Sequence, residues 1–209
     1  MRAFKFRPSS QIGFALDIIF NQRLHCADWS QLNDPMEGMF AYSSREGAED
    51  PKKLIDQIIS EKRRLKICSL SRTFDCHLLW AHYASGFDGV AIEVDLPDHS
   101  PQVKIVTYRA SFAGLSIEHV VDSAKTAREI LTSKYREWKY EREVRILYHE
   151  EWFPLAEPVQ RVIAGHRMQP SLFKALRIIC QQQGIRFCKT GIGDEGIDAD
   201  LVPSVENTQ

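Results

Sequence analysis

The sequence predicts a single α+β domain with a central mixed or antiparallel sheet and several helices. Three observations point there. Apolar and polar residues alternate along 87–96 and 142–148, the two-residue period of a strand. Apolar residues recur at helical spacing after Ser10 and after Pro170. Strands with a few interspersed helices, and no internal repeat, low-complexity segment or linker, suit one core. With 209 residues, 44% hydrophobic and 26% charged, the chain has the means to bury a sizeable one.

The elements follow in order. Ala3-Phe4-Lys5-Phe6-Arg7 alternates aromatic and basic residues, a strand with Lys5 and Arg7 on one face. Pro8-Ser9-Ser10 breaks it and supplies a helix cap, after which Ile12, Ala15, Leu16, Ile19 and Phe20 make an apolar side. Arg23–Ala27 is a short strand. The loop 30–38 concentrates turn formers, and its Asn33 and Asp34 satisfy backbone amides in the simplest reading. Asp50-Pro51 opens a helix through about Lys62, with proline at the first helical position. Leu65–Ser71 is a strand with Ser69 and Ser71 on one face. Leu78–Ala84 is a short helix whose Trp80 and Tyr83 share a side, as core or as a stacking wall. Phe87–Leu96 is the clearest strand, and Val103–Arg109 is expected beside it. Leu115 to about Trp138 is helical in composition, and Arg142–Tyr148 is a strand. Val159–Ala164 is another, ending at Gly165. Pro170–Gln183 is a helix closed by Gly184, and Ile185–Lys189 is the last strand.

The formal net charge of −1 gives no bulk attraction to nucleic acid or to a membrane. Lys62, Arg63, Arg64, Lys66 and Arg72 cluster as a local basic patch, which keeps nucleic acid as a minor reading. Five scattered cysteines without a Cys-x-x-Cys pair indicate reduced thiols in a cytoplasmic protein. The apolar stretch Gly13–Phe20 is short and contains Asp17, so no signal peptide is expected. No run has membrane-spanning length.

Chemistry concentrates around Trp138-Lys-Tyr-Glu141-Arg-Glu143-Val-Arg145. Read as a strand, it puts Glu141, Glu143 and Arg145 on one face and Val144, Ile146 and Tyr148 on the other. The two carboxylates then stand ~7 Å apart along the chain. Such a face either meets bulk water, with Glu–Arg pairs across strands, or lines a polar cleft. Two other strands carry doubled polar sets, Lys5/Arg7 and Ser69/Ser71. Cations for phosphates, hydroxyls for a sugar and a carboxylate for a developing positive charge are what cleavage of a nucleotide's glycosidic bond requires. Two further readings use the same residues. One is a nucleotide- or nucleic-acid-binding module without catalysis. The other is a nuclease with Asp34, Glu37, Glu141 and Glu143 around a divalent ion. No metal motif supports the latter, and there is no Walker loop, Gly-x-Gly-x-x-Gly or Gly-x-Ser-x-Gly.

The blocks Phe4-Lys-Phe-Arg7, Asn33-Asp-Pro-Met-Glu37, Ser69-Leu-Ser71, Trp80-Ala-His-Tyr83 and Trp138-Lys-Tyr-Glu141-Arg-Glu143-Val-Arg145 resemble, in order, the bacterial domain-of-unknown-function 2971 family. That resemblance covers residues 4 to about 165. It leaves a helix–strand extension, 166–191, and an acidic tail, 192–209, outside. The order basic strand, Ser-x-Ser strand, Glu-x-Glu strand is also similar to the arginine–serine–glutamate pattern of ADP-ribosyltransferases. This similarity implies an ADP-ribosyltransferase-like fold and NAD as substrate. It further implies an NAD-dependent transferase or NAD glycohydrolase acting on a macromolecular acceptor, of the kind found among bacterial toxins and phage-defence effectors. In its terms Arg7, with Lys5 as competitor, holds the NAD phosphates, and Ser69 and Ser71 support the pocket. Glu143 stabilises the ribosyl cation and Glu141 orients the acceptor. Trp80, Tyr83, Asn33 and Asp34 complete the expected nucleotide site.

Overall fold

A computed structural model describes residues 1–44 and 51–203. Among them, nine strands form one sheet: β1 (Arg2–Pro8), β2 (Ala27–Asp28), β3 (Lys66–Ser71), β4 (Gly89–Asp95), β5 (Val103–Ile105), β6 (Glu143–Tyr148), β7 (Arg161–Ala164), β8 (Arg186–Gly193) and β9 (Gly196–Leu201). The order across it is β9-β8-β7-β4-β1-β3-β6-β5, with β2 beside β3. The β7–β8 pair is parallel and the others are antiparallel, so the sheet is mixed. Five helices accompany it: α1 (Ile12–Asn21), α2 (Lys52–Arg63), α3 (His77–Tyr83), α4 (Ser123–Leu131) and α5 (Pro170–Gln182). None is long and apolar enough to cross a membrane.

Both sides of the sheet are covered, which is why β4 is buried along nearly its whole length. One face buries Ala3, Cys68, Leu70, Val90, Ile92, Val94, Val144 and Ile146 under Ala15, Ile18 and Ile19 of α1 and Leu176 and Cys180 of α5. The other buries Phe4, Phe6, Ala91 and Ile163 under Leu79 and Trp80 of α3. Farther along that second face, Ile67 and Leu147 pack on Leu131 of α4, and α4 in turn packs on α2 through Ala127, Ile130 and Ile58. Local chemistry sets the ends of these helices. Asp122 accepts from the amides of Ala124 and Lys125 and so starts α4. Pro170 opens α5, and Gly184 beyond it takes a left-handed φ of +68°.

Several expectations are corrected. Val103–Arg109 does not flank β4. Its first half, β5, pairs with β6, and Thr107–Arg109 leaves the sheet to pair with Ser133–Tyr135. The long helix expected between Leu115 and Trp138 shrinks to α4, between strand pieces and short 3-10 helices. Its mixed composition has only one short amphipathic stretch. Ser9 and Ser10 do not cap α1; the Ser9 hydroxyl donates to Asp88 instead. Asp50 lies outside the described residues, and Pro51 stands just before α2. Lys189 is not the end of the fold, because β8 continues to Gly193 and turns into β9, so the acidic residues 194–200 belong to a hairpin. Trp80 is fully buried, stacked on Phe87 at 5.3 Å, with its indole N–H donating to the Phe74 carbonyl. It is core, not a wall of a site.

One irregularity positions everything that follows. β1 runs in register with β4 along its full length, yet it meets β3 at a single pair, Phe4 with Ser71. Beyond that pair the two strands part. The pairing Phe4–Ser71 puts Ser69 and Ser71 on the face of Phe4 and Phe6, together with Glu143 and Arg145 of β6. Lys5 and Arg7 therefore belong to the opposite face. The polar sets expected on one surface come from two, and they meet only through the opening between β1 and β3.

Because Trp80 closes the core beneath that opening, Trp80→Ala is expected to lower unfolding free energy by about 3–5 kcal/mol, measured by denaturant titration. A loss under 1 kcal/mol would contradict this packing.

Candidate functional site

The opening holds a cavity of about 420 Å³, lined among others by Lys5, Arg7, Asn33, Glu37, Ser69, Ser71, Tyr83, Lys134, Glu141 and Glu143. Its floor is an ion-pair network centred on Arg145. Strand periodicity turns Glu143 and Arg145 to the same side of β6, where both are buried, so neither has water to solvate it. The solution is mutual. Arg145 Nε donates to Glu143 Oε1 at 2.7 Å, and Nη2 donates to Glu143 Oε2 at 3.0 Å and to Glu37 Oε1 at 2.6 Å. Nη1 donates to the Leu131 carbonyl at 2.6 Å and lies 2.6 Å from Glu37 Oε2. The planar guanidinium thus grips two carboxylates at once.

Glu141 joins by another route. The charged alternation does not extend through it, because Arg142 is left-handed (φ 46°) and Glu141 ends a 3-10 helix spanning Arg136–Glu141. Lys134 gathers the carboxylates instead. Its Nζ lies 2.6 Å from Glu141 Oε2, 3.1 Å from Glu143 Oε2 and 3.3 Å from Glu37 Oε1. The Tyr83 hydroxyl donates to Glu141 Oε1 at 2.5 Å, and the Glu143 amide donates to the Tyr108 hydroxyl at 2.8 Å.

Three carboxylates face two cations, so one negative charge is in excess. Burial alone would raise the Glu143 carboxyl, but Arg145 and Lys134 outweigh it and hold the group down at about 2. Glu141 goes the other way: burial raises it, helped by neighbouring Glu143 and only partly offset by Lys134. Burial works against the Lys134 ammonium, yet the surrounding carboxylates raise its pKa above the ordinary value. Of Glu141 and Glu143, Glu141 is the carboxyl more readily protonated.

The cavity is also lined by two cations, Lys5 and Arg7. Lys5 Nζ donates to the Ser69 carbonyl at 2.7 Å, an acceptor left free where β3 leaves β1. Burial lowers its pKa. Arg7 lies over the Phe14 ring at 5.1 Å, and its buried Nε has no hydrogen-bond partner among the described residues. Neither cation has a carboxylate within ion-pair distance among those residues.

Of the expected nucleotide residues, Lys5, Arg7, Asn33, Ser69, Ser71, Tyr83, Glu141 and Glu143 line one cavity. The Ser71 hydroxyl is already committed to the Glu141 carbonyl at 2.6 Å. Asp34 turns away from the cavity, where its Oδ1 accepts from the Met36 amide and fixes the loop that presents Glu37. That loop is anchored further by buried Lys62, which donates to the Gly38 carbonyl and lies 4.2 Å over the Trp29 ring. Trp80 is absent from the lining. Sequence reasoning missed Lys134 and Tyr108, which gave no signal: one was assigned to a helix, the other to a sheet strand. Arg145 was visible, but as a surface partner.

The depressed Glu143 carboxyl sets a pH dependence. Its contribution to stability is fully present above its unfolded value near 4.5 and is lost as pH falls through about 2. Melting curves of wild type and Glu143→Gln should therefore converge over that window, from a gap of about 3 kcal/mol near neutrality. Glu141, with its raised value, contributes in the opposite sense, and less so in Glu143→Gln, where the neighbouring charge is gone. A gap independent of pH would mean that Glu143 is not held as described.

The chain matches no family model, no curated protein and no solved structure.

Proposed function

We propose that this cavity binds a nucleotide such as NAD and cleaves its glycosidic bond, as an NAD glycohydrolase or an ADP-ribosyltransferase-like enzyme. The observation that carries the reading is the cavity's charged lining. Lys5 and Arg7, with no carboxylate within ion-pair distance among the described residues, share the cavity with a carboxylate cluster that carries one excess negative charge. A pyrophosphate suits the first and a cationic nicotinamide ribosyl group the second. The volume lies within the range of small-molecule sites.

In this reading the C1′–N bond of the ribose breaks and its electron pair leaves with neutral nicotinamide. The ribosyl cation that develops faces Glu141 and the fixed charge of Glu143. Glu141 then takes the proton from the attacking water or acceptor hydroxyl, a task for which a raised carboxyl is suited. Glu143, held on both oxygens by Arg145 and Lys134, is a stationary charge that needs no reorganisation. The order of the Lys5/Arg7, Ser69/Ser71 and Glu141/Glu143 strands, similar to that of ADP-ribosyltransferases, supports the same assignment. The nuclease reading is weakened because Lys134 Nζ already sits among three of the four carboxylates that would surround a divalent ion.

The occupancy of both Glu143 oxygens also favours a second reading, a nucleotide-binding module without turnover. Nicotinamide release separates the two. The glycohydrolase reading expects release by wild type to fall about 10²–10³-fold in Glu141→Gln, with NAD binding retained. It expects Arg7→Ala to weaken NAD binding roughly 10–100-fold, the scale of one charge-assisted contact. NAD that stabilises wild type against heat without being consumed would establish the binding module. NAD that does neither would remove both.

A further inference from the structure

Beneath the cavity lies a feature the glycosidic chemistry does not use. β2 pairs antiparallel with β3 through Ala27–Ile67 and Asp28–Lys66. One step beyond the last pair, that register places Cys26 opposite Cys68. Both are free, fully buried and part of the same core cluster, so their side chains point to the same face. Directly opposed residues on antiparallel strands have Cα atoms about 4.5–5.5 Å apart, inside the range a disulfide spans. The Cys26 thiol donates to the Leu24 carbonyl at 3.9 Å, and Lys5 and Arg7 are close enough to Cys68 to act on its charge. The neighbouring Cys26 pulls the Cys68 thiol down, and Lys5 and Arg7 add to that pull against the effect of burial. Cys26 is raised correspondingly. The arrangement is that of a nucleophilic thiolate beside a thiol that can resolve it.

We propose that Cys26 and Cys68 are a redox-active pair, which a peroxide converts into a cross-strand disulfide. The Cys68 thiolate attacks one peroxide oxygen and the O–O bond breaks. This gives Cys68 sulfenic acid and hydroxide, which leaves as water once protonated. The Cys26 sulfur then attacks the sulfenic sulfur, the S–O bond breaks, and a second water departs with the Cys26 proton. Two thiols are oxidised and one peroxide is reduced to two waters. Access comes through the cavity. Cys26 and Cys68 lie behind its wall, and Lys5, which shares the Cys68 face of the sheet, lines it, so peroxide reaches the pair past Lys5. The product ties the cavity wall at 25–28 covalently to β3.

The experiment uses the whole reduced chain, treated with hydrogen peroxide, alkylated, digested and mapped by mass spectrometry. The expected result is a peptide pair joined through Cys26 and Cys68, restored to free thiols by dithiothreitol. It should form in preference to modification of Cys76, the one cysteine of the five that is not buried. In Cys26→Ser, Cys68 should be trapped by dimedone as the sulfenic acid, and Cys68→Ser should leave Cys26 reduced. Oxidation confined to Cys76, or Cys26 and Cys68 still free after peroxide in wild type, would overturn the proposal. The wild-type map decides even if a serine variant fails to fold.

Discussion

A buried guanidinium is intolerable without partners, and Arg145 dictates much of this molecule by requiring them. Its donors reach Glu143 two residues away, Leu131 at the end of α4 and Glu37 far back in the chain. Three separate segments must therefore arrive at one point. The loop at 33–38 is shaped by Asp34 and Lys62 so that Glu37 can arrive. The short α4 must stop where the Leu131 carbonyl is free to accept. Replacing the cluster with hydrocarbons would often be neutral or stabilising for a fold, whereas breaking it from one side is costly.

The second constraint is geometric. A continuous sheet between β1 and β3 would have put Lys5 and Arg7 on one side and the serines and glutamates on the other, with no communication. Their separation after one pair turns a two-sided arrangement into one chamber. It also leaves the Ser69 carbonyl to Lys5 rather than to a ladder. Cations and carboxylates from the two sides then line the same chamber.

Much of the frame was legible in the sequence because it depends on short-range period. The strands at 3–7, 66–71, 89–95 and 143–148 and the helices at 12–21 and 170–182 show their two- and 3.6-residue patterns plainly. What was not legible depends on pairing between distant segments. Nothing in Val103–Arg109 says that its halves part company, and nothing in Ser133-Lys134-Tyr135 says that its lysine will collect three carboxylates. Trp80 and Tyr83, three residues apart on one short helix, divide between core and cavity, a distinction that periodicity cannot make. Glu141 and Glu143 did come together, but for a different reason. A left-handed Arg142 and a shared ammonium achieve what strand alternation was expected to do.

The single Phe4–Ser71 pair has a mechanical consequence. The sheet behaves as two slabs, β9-β8-β7-β4-β1 and β3-β6-β5, riveted at one point. Flexing a sheet breaks the fewest hydrogen bonds where there are fewest to break, so this rivet is its natural hinge. Any change in the gap between the Lys5/Arg7 strand and the glutamate strand therefore costs the fewest ladder bonds at this seam.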